Sequence, residues 1–500
     1  MSNTSQEETA ILFQDTKTYL LDIPHSIALA QEGRPATHQQ PSPESSSGTQ
    51  KGHCRKILNL LSCSPIKEPY PSTEPKTPAA LAKVLNKIPI SEKRFHSELI
   101  LPLVRDSLET IKAGYSHDRR WCKARAVPIG SESHFTTASK QHTRKRRRGN
   151  EYVPLESALD GHVSTENEPP TILSTTSLNN FESLSDLAIV KNPSPEHAIL
   201  RVENWYGSEL ISHSCEYVVP PESSFVLCTL PLFQAQADRP SVSNGYPIPG
   251  LPQYRKFNLI LMDPPWPNKS VRRSGHYPTH QYSEMDVLTE GLRDILCIHS
   301  HDPTTKQGLR SSESHSDPIQ SEQSIAAIWI TNADKARRAA YEALSGAGFW
   351  ICEEWIWVKT TWDGQPISAL DGLWRKPYEI LVIGRKGSHN SNLSAIGNAK
   401  NAPPLSQMDD LTRMSEAITT RRVIAAVPDL HSRKPNLKSI LENVFFTETG
   451  QLQSYSALEV FARNLTAGWW AAGNEVLRFN ERECWVDLGS TKNTDMHEYA

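Results

Sequence analysis

In "FNLILMDPPW", Phe257–Trp266, an apolar run ends abruptly in an acid, two prolines and a tryptophan. A run that is apolar throughout, rather than alternating, is what a strand covered on both faces requires. Similar runs recur at "IAAIWI" (Ile325–Ile330), "ICEEWIWV" (Ile351–Val358), "EILVIG" (Glu379–Gly384), "VIAAV" (Val423–Val427) and "ALEVFA" (Ala457–Ala462). Between them, "DKARRAAYEALSGAG" and "NLKSILENVFF" have helical spacing. Strands alternating with helices predict an α/β fold around a mainly parallel sheet. Ligands of such sheets sit beyond the carboxyl ends of the strands. Met262 ends its strand, so "DPPW" is predicted to project at that edge.

Proline fixes φ and has no N–H to donate. The carbonyls of Pro264 and Pro265 are therefore expected to point outward as acceptors, beside the carboxylate of Asp263. Such a cluster suits a substrate that offers an NH2 group. Trp266 adds a flat apolar ring that can support or stack on an aromatic base. The exocyclic amine of a nucleobase meets these demands. Its lone pair is delocalised into the ring, so it needs both protons held before it can attack. A site of this kind works by positioning and fixed electrostatics, without a covalent intermediate. Lys269, Arg272 and Arg273 follow and are expected to grip phosphates. His276, Tyr277 and Tyr282 complete a basic and aromatic mixture suited to a flipped or single-stranded nucleotide. Trp355, Trp357 and Trp362 read as mostly core, with Lys359 at their strand's end the functional candidate.

The 500 residues are 37% hydrophobic and include 36 prolines, a composition of folded portions diluted by disordered ones. Most of the 12 tryptophans lie after Leu200, where a large core is expected. None of the 8 cysteines forms a C-x-x-C pair, so neither zinc nor a disulfide framework is predicted. No apolar run reaches the ~18 residues that span a bilayer, and no membrane partner is expected. The net charge of −3 hides an imbalance: residues 51–150 carry 21 Lys+Arg against 8 Asp+Glu. "RKRRRG", Arg144–Gly149, reads as a nuclear import signal or phosphate contact.

Residues 26–53 and 64–80 have the composition of linkers. "SEKRFHSELILPLVRDSLETIKAG", Ser91–Gly114, predicts a helix capped by Ser91, stopped by Gly114 and broken or kinked at Pro102. Three regions are expected. Residues 1–197 form a basic region, mostly disordered with some helices. Residues 198–488 form the α/β domain, with long insertions at 299–323 and 386–418. Residues 489–500 form a disordered tail.

"DPPW" closing an apolar strand resembles the signature of the adenine amino-group methyltransferases that include the messenger-RNA adenosine methyltransferase subunits. "DPPWPNKSVRRSGHY" is similar to the methyltransferase-like protein four branch of that family. So are "WITN" (Trp329–Asn332), "EWIWVK" (Glu354–Lys359), "KPYEILVIGR" (Lys376–Arg385), "HSRKP" (His431–Pro435), "LEVFARNL" (Leu458–Leu465) and "GNEVLRF" (Gly473–Phe479). The resemblance covers about residues 200–480.

It implies a Rossmann-like domain with permuted motif order, in which the catalytic motif precedes the cofactor strand. It implies S-adenosyl-L-methionine as cofactor, and no metal. Asp263, Pro264, Pro265 and Trp266 would then be catalytic. Asp263, Lys434, Glu459, Arg463, Asn474 and Glu475 would lie against the cofactor, Lys434 at its carboxylate and Asn474 at its ribose. The implied activity is methylation of the N6 amine of adenine in RNA, small nuclear RNA included, or in DNA, with the nucleus as location. Protein partners would meet the N-terminal region or the insertions. The alternative is a catalytically silent RNA-binding scaffold, which the intact "DPPW", Lys434 and Asn474 argue against.

Overall fold

A computed structural model of the chain describes residues 9–33, 58–72, 74–116, 119–128, 169–184, 187–204, 213–232, 246–267, 283–302, 323–373, 375–386, 418, 420–430 and 433–487. Twelve strands form one sheet. From one edge to the other they are β1 (Ile11–Gln14), β2 (Thr18–Leu21), β14 (Thr420–Ala426), β12 (Trp350–Lys359), β13 (Tyr378–Lys386), β11 (Ser324–Ile330), β10 (Leu259–Met262), β17 (Ala457–Val460), β18 (Trp470–Gly473), β9 (Ser224–Leu227), β6 (Ile189–Lys191) and β4 (Thr171–Ile172). A second sheet joins β5 (Asn179–Phe181), β7 (Ala198–Asn204) and β8 (His213–Val219). Two small pairs remain: β3 (Leu58–Leu60) with β19 (Trp485–Asp487), and β15 (Thr447–Glu448) with β16 (Gln451–Leu452).

All six apolar runs after Tyr254 form strands of the central sheet. β10 and β11 are buried at every position, as strands covered on both faces must be. Among the described residues the sheet is mainly parallel, with seven of its eleven strand pairings parallel and four antiparallel. β13 runs antiparallel to β11 and β12, while β10 is parallel to both β11 and β17. The carboxyl ends of β10, β11, β12, β14 and β17 therefore share one edge with the amino end of β13. Helices cover the faces. Asp334–Gly346 buries four alanines, Ala336, Ala339, Ala340 and Ala343, together with Arg337, Tyr341 and Leu344.

The boundary expected at residue 198 does not divide the fold. β2 pairs in parallel with β14, and β1 forms the outer edge beyond it. The linker composition expected from residue 26 is likewise overridden, because Asp22 caps a helix over Ile23–Ala30 by accepting from the His25 N–H at 2.9 Å. The helix expected over 91–114 begins one residue earlier, at Ile90, so Ser91 does not cap it. Its break is a π-helical stretch, Phe95–Ile100, directly before Pro102, whose ring cannot donate to the preceding turn. Gly114 ends this helix against β1: a Cβ there would stand 2.5 Å from the Phe13 ring. Arg144–Gly149, the tail, Lys269, Arg272, Arg273, His276, Tyr277 and Tyr282 lie outside the described residues, as does most of each long insertion.

Candidate active site at the carboxyl edge of the sheet

Met262 delivers Asp263 to the shared edge, where charges of alternating sign form a row. Arg478 Nη1 lies 2.6 Å from Glu475, whose other oxygen lies 3.0 Å from Arg463 Nε. Arg463 Nη1 lies 3.5 Å from Asp263 Oδ2. Lys434 Nζ donates to both Asp263 oxygens, at 3.0 and 3.1 Å. The same ammonium is 3.0 Å from Glu379 Oε2, and Lys359 Nζ is 2.5 Å from Glu379 Oε1. The row runs along the sheet edge from the end of β18 past β17, β10, β11 and β13 to β12. Five of its seven members are residues singled out from the sequence. Glu379 is not among them: it is one acid opening an apolar strand, and nothing local marks it as the bridge between two lysines.

Burial and charge work against each other along this row. Burial raises the Glu379 carboxyl, but Lys434 and Lys359 outweigh it and hold the group down at about 2. Burial lowers the Lys434 ammonium, and Asp263 and Glu379 more than restore it. Among the described residues, Glu459 has no such partner in contact. Burial pushes its carboxyl up to about 8, the Asp263 charge adds to the rise, and Arg463 opposes it. Near neutral pH, Glu459 therefore carries a proton and can donate a hydrogen bond.

A measurable pH dependence follows. Between 4.5 and about 8 the folded chain holds a proton that the unfolded chain has lost. Stability from this group is complete below the unfolded value and falls as pH rises through that window. Urea unfolding at pH 5 and pH 8 is expected to show the loss in the native chain and a flatter profile in Glu459→Gln. Equal pH dependence in both would rule it out.

Asp263, Lys434, Glu459 and Arg463 share one cleft of about 530 Å³ of non-protein space, part of it open to solvent. Asn436 and Asn464 contribute amides, while Trp329, Leu437, Phe461 and Phe479 supply apolar wall. Asn474 does not line it, and Glu475 reaches it only through Arg463. The two lining asparagines escape a reading of the sequence, since an asparagine in a loop carries no signal of its own. At the floor, Phe461 adopts φ +62° and packs its backbone against Gly473, where a Cβ would stand 3.3 Å from the Phe461 Cα.

The "DPPW" turn itself is corrected in two respects. Trp266 is 7% exposed, and its indole N–H donates to the Trp329 carbonyl at 2.7 Å. It braces the turn against the end of β11 and offers no stacking face. The Pro264 carbonyl accepts from the Trp266 N–H at 2.8 Å, so one of its lone pairs is used within the turn. Among the described residues, none donates to the Pro265 carbonyl.

The loop that carries Lys434 is held from behind. Arg433 and Asp429 form a pair at 2.5 Å with both side chains 0% exposed. Arg433 Nη1 donates to the Leu61 carbonyl, and Asp429 accepts from the Cys63 N–H. Arg125 donates to the carbonyls of Val427, Pro428 and Cys63. The N-terminal segments thus fix the loop on its inner side.

Residues 315–475 match the MT-A70 family model. The chain carries an MT-A70 domain. It is 34% identical over 238 residues to the N6-methyladenosine RNA methyltransferase MTA1 of Cryphonectria parasitica, covering 46% of this chain and 55% of that one. It is 30% identical over 282 residues to the N(6)-adenine-specific methyltransferase METTL4 of Mus musculus, covering 55% and 46%. A DNA N6-methyl methyltransferase of Caenorhabditis elegans is 27% identical over 223 residues, covering 44% and 45%. The aligned stretch thus spans about half the length of these relatives. The match to the MT-A70 model begins after Asp263. Yet β10, which delivers Asp263, lies between β11 and β17, and both are inside the MT-A70 domain.

Proposed function

We propose that the chain transfers a methyl group from S-adenosyl-L-methionine to the N6 amine of adenine in RNA or DNA. The observation that carries this reading is the convergence of Asp263, Lys434, Arg463 and Glu459 in one cleft at the carboxyl edge of the sheet. The donor set of the cleft fits this cofactor. Lys434 and Arg463 are cations suited to its carboxylate. The protonated Glu459, Asn436 and Asn464 suit its hydroxyls, and Leu437 and Phe479 suit its base. When bound, the cofactor supplies an electrophilic methyl group.

The chain's own part is positional. A carboxylate has about four acceptor sites. Lys434 and Arg463 occupy three contacts on Asp263, which leaves capacity for one amine proton. The Pro265 carbonyl, held by the braced turn, takes the second. With both protons held, the amine lone pair would be free to face the methyl group; as that group left its sulfur, the amine proton held by Asp263 would pass through that carboxylate to solvent. Such fixed acceptors avoid reorganisation at the moment of reaction.

The domain is read as Rossmann-like with permuted motif order: β10 precedes β17 in the chain but lies beside it in the sheet. The basic run at Arg144–Arg148 supports a nuclear location. The test is incubation of the purified chain with methyl-labelled S-adenosyl-L-methionine and matched RNA and DNA oligonucleotides containing one adenine. Label at N6 of adenine is expected, in whichever polymer is the substrate. No label in either, with the cofactor bound in calorimetry, would overturn the assignment.

A further inference from the structure

The carboxyl edge does not end at Lys359. The chain continues as "TTWDGQP", Thr360–Pro366, and the N-terminal segments are built onto this loop. The Trp362 N–H donates to the Ile66 carbonyl at 2.9 Å, and the Trp121 N–H donates to the Trp362 carbonyl at 2.8 Å. Beside the loop lies a second cleft, about 850 Å³ of non-protein space that includes open solvent, lined by residues including Lys112, Tyr115, Arg119, Arg120 and Asp363. Arg119 and Arg120 are exposed.

The Arg120 guanidinium sits 3.8 Å from the centroid of the Trp362 ring. An aromatic face holds a guanidinium without consuming its N–H donors, which stay available for a bidentate oxyanion. Among the described residues, no carboxylate lies within 4.0 Å of Arg119 or Arg120. Asp363 is already engaged by Thr361 and by Gln365, the latter at 3.1 Å. Lys112 meets the exposed Glu109, a pairing of little strength. The cleft is thus a cationic surface with ordered, unspent donors, set in the part of the chain where Lys+Arg outnumber Asp+Glu 21 to 8. Trp362 stands three positions after Lys359, at most about 11 Å of chain.

We propose that this cleft binds phosphates a few nucleotides away from the target adenine, beyond the two that flank it, so that a single-stranded polynucleotide runs from Asp263 across Trp362 to Arg119 and Arg120. The proposal rests on the methyltransferase reading above. A single strand is specified because an amine paired in a duplex cannot reach the Asp263 cleft unless its base leaves the stack.

The test uses the full chain, fluorescein-labelled 20-nucleotide RNA and DNA strands with one central adenine, and anisotropy over a salt series. For Arg119→Ala/Arg120→Ala, the Kd is expected to rise about tenfold. The slope of log K against log salt should fall by about 1.4, at ~0.7 for each phosphate of a single strand that is no longer neutralised. Arg119→Lys/Arg120→Lys should recover most of the salt slope. Cofactor affinity by calorimetry and methylation of an adenine-centred trinucleotide, too short to reach the cleft, should be unchanged. An unaltered Kd and slope in the alanine variant, with the native chain binding and methylating the long strand, overturns this inference alone. A native chain that neither binds nor methylates any strand sinks it together with the methyltransferase reading.

Discussion

Asp263→Ala is expected to lower methyl transfer by about 10³-fold or more while the chain stays folded. Removing a single preorganised polar group aimed at the reacting atoms costs about 10²–10³ in rate in other enzymes. Asp263 is the only acid in contact with Lys434 that also stands in the "DPPW" turn, so its loss takes both the amine acceptor and the centre of the charged row. The fold survives because neither neighbouring cation is stranded. Lys434 keeps Glu379 at 3.0 Å, and Arg463 keeps Glu475 at 3.0 Å. Asp263→Asn separates charge from shape, since it keeps an acceptor oxygen but leaves Lys434 and Arg463 less well balanced. Methyl transfer from labelled cofactor measures the first effect, and thermal melting followed by circular dichroism measures the second. An alanine variant that retains more than a tenth of the native rate would remove Asp263 from the chemistry.

The largest effect on stability is expected at Arg433. Breaking a buried ion pair from one side costs about 3–5 kcal/mol, because the remaining charge is left without compensation in a medium that solvates it poorly. Arg433 and Asp429 meet this condition, with both side chains 0% exposed. Arg433→Met keeps much of the volume, including the packing over the Phe479 ring at 4.4 Å, but leaves Asp429 with Arg125 at 3.9 Å as its nearest cation. Equilibrium urea unfolding should show the loss. Arg433→Met combined with Asp429→Leu should recover part of it, since the stranded charge is then gone. A single variant within about 1 kcal/mol of the native chain would mean that water or a relaxed loop solvates Asp429.

The central strands and the core of the site are legible in the sequence for a physical reason. A strand covered on both faces must be apolar at every position, and Leu259–Met262 and Ile325–Ile330 are. Asp263 can be found because it closes such a run, whereas Lys434, Glu459 and Arg463 are found through the resemblance of "HSRKP" and "LEVFARNL" to a known family. What stays hidden depends on partners distant in the chain. Arg433 and Asp429 look like ordinary loop charges until Leu61, Cys63 and Arg125 are placed around them. β1 and β2 are four residues each, too short to display a period, and gain their burial only beside β14. Trp266 reads as a stacking surface because its indole partner, the Trp329 carbonyl, is 63 residues away.

The pairing of β2 with β14 also bears on how the chain is made. Thr18 meets Val423, and Leu60 meets Trp485, each across roughly four hundred residues. At about 5–20 residues per second, the early strands wait on the order of 20–80 s on the ribosome before their partners exist. During that wait Thr18–Leu21, every residue of which is buried in the finished sheet, lies open to solvent and to other chains. Assembly of the sheet is therefore a late event in synthesis, and the contacts of Leu61 and Cys63 with the loop that positions Lys434 form only once Asp429 and Arg433 have emerged.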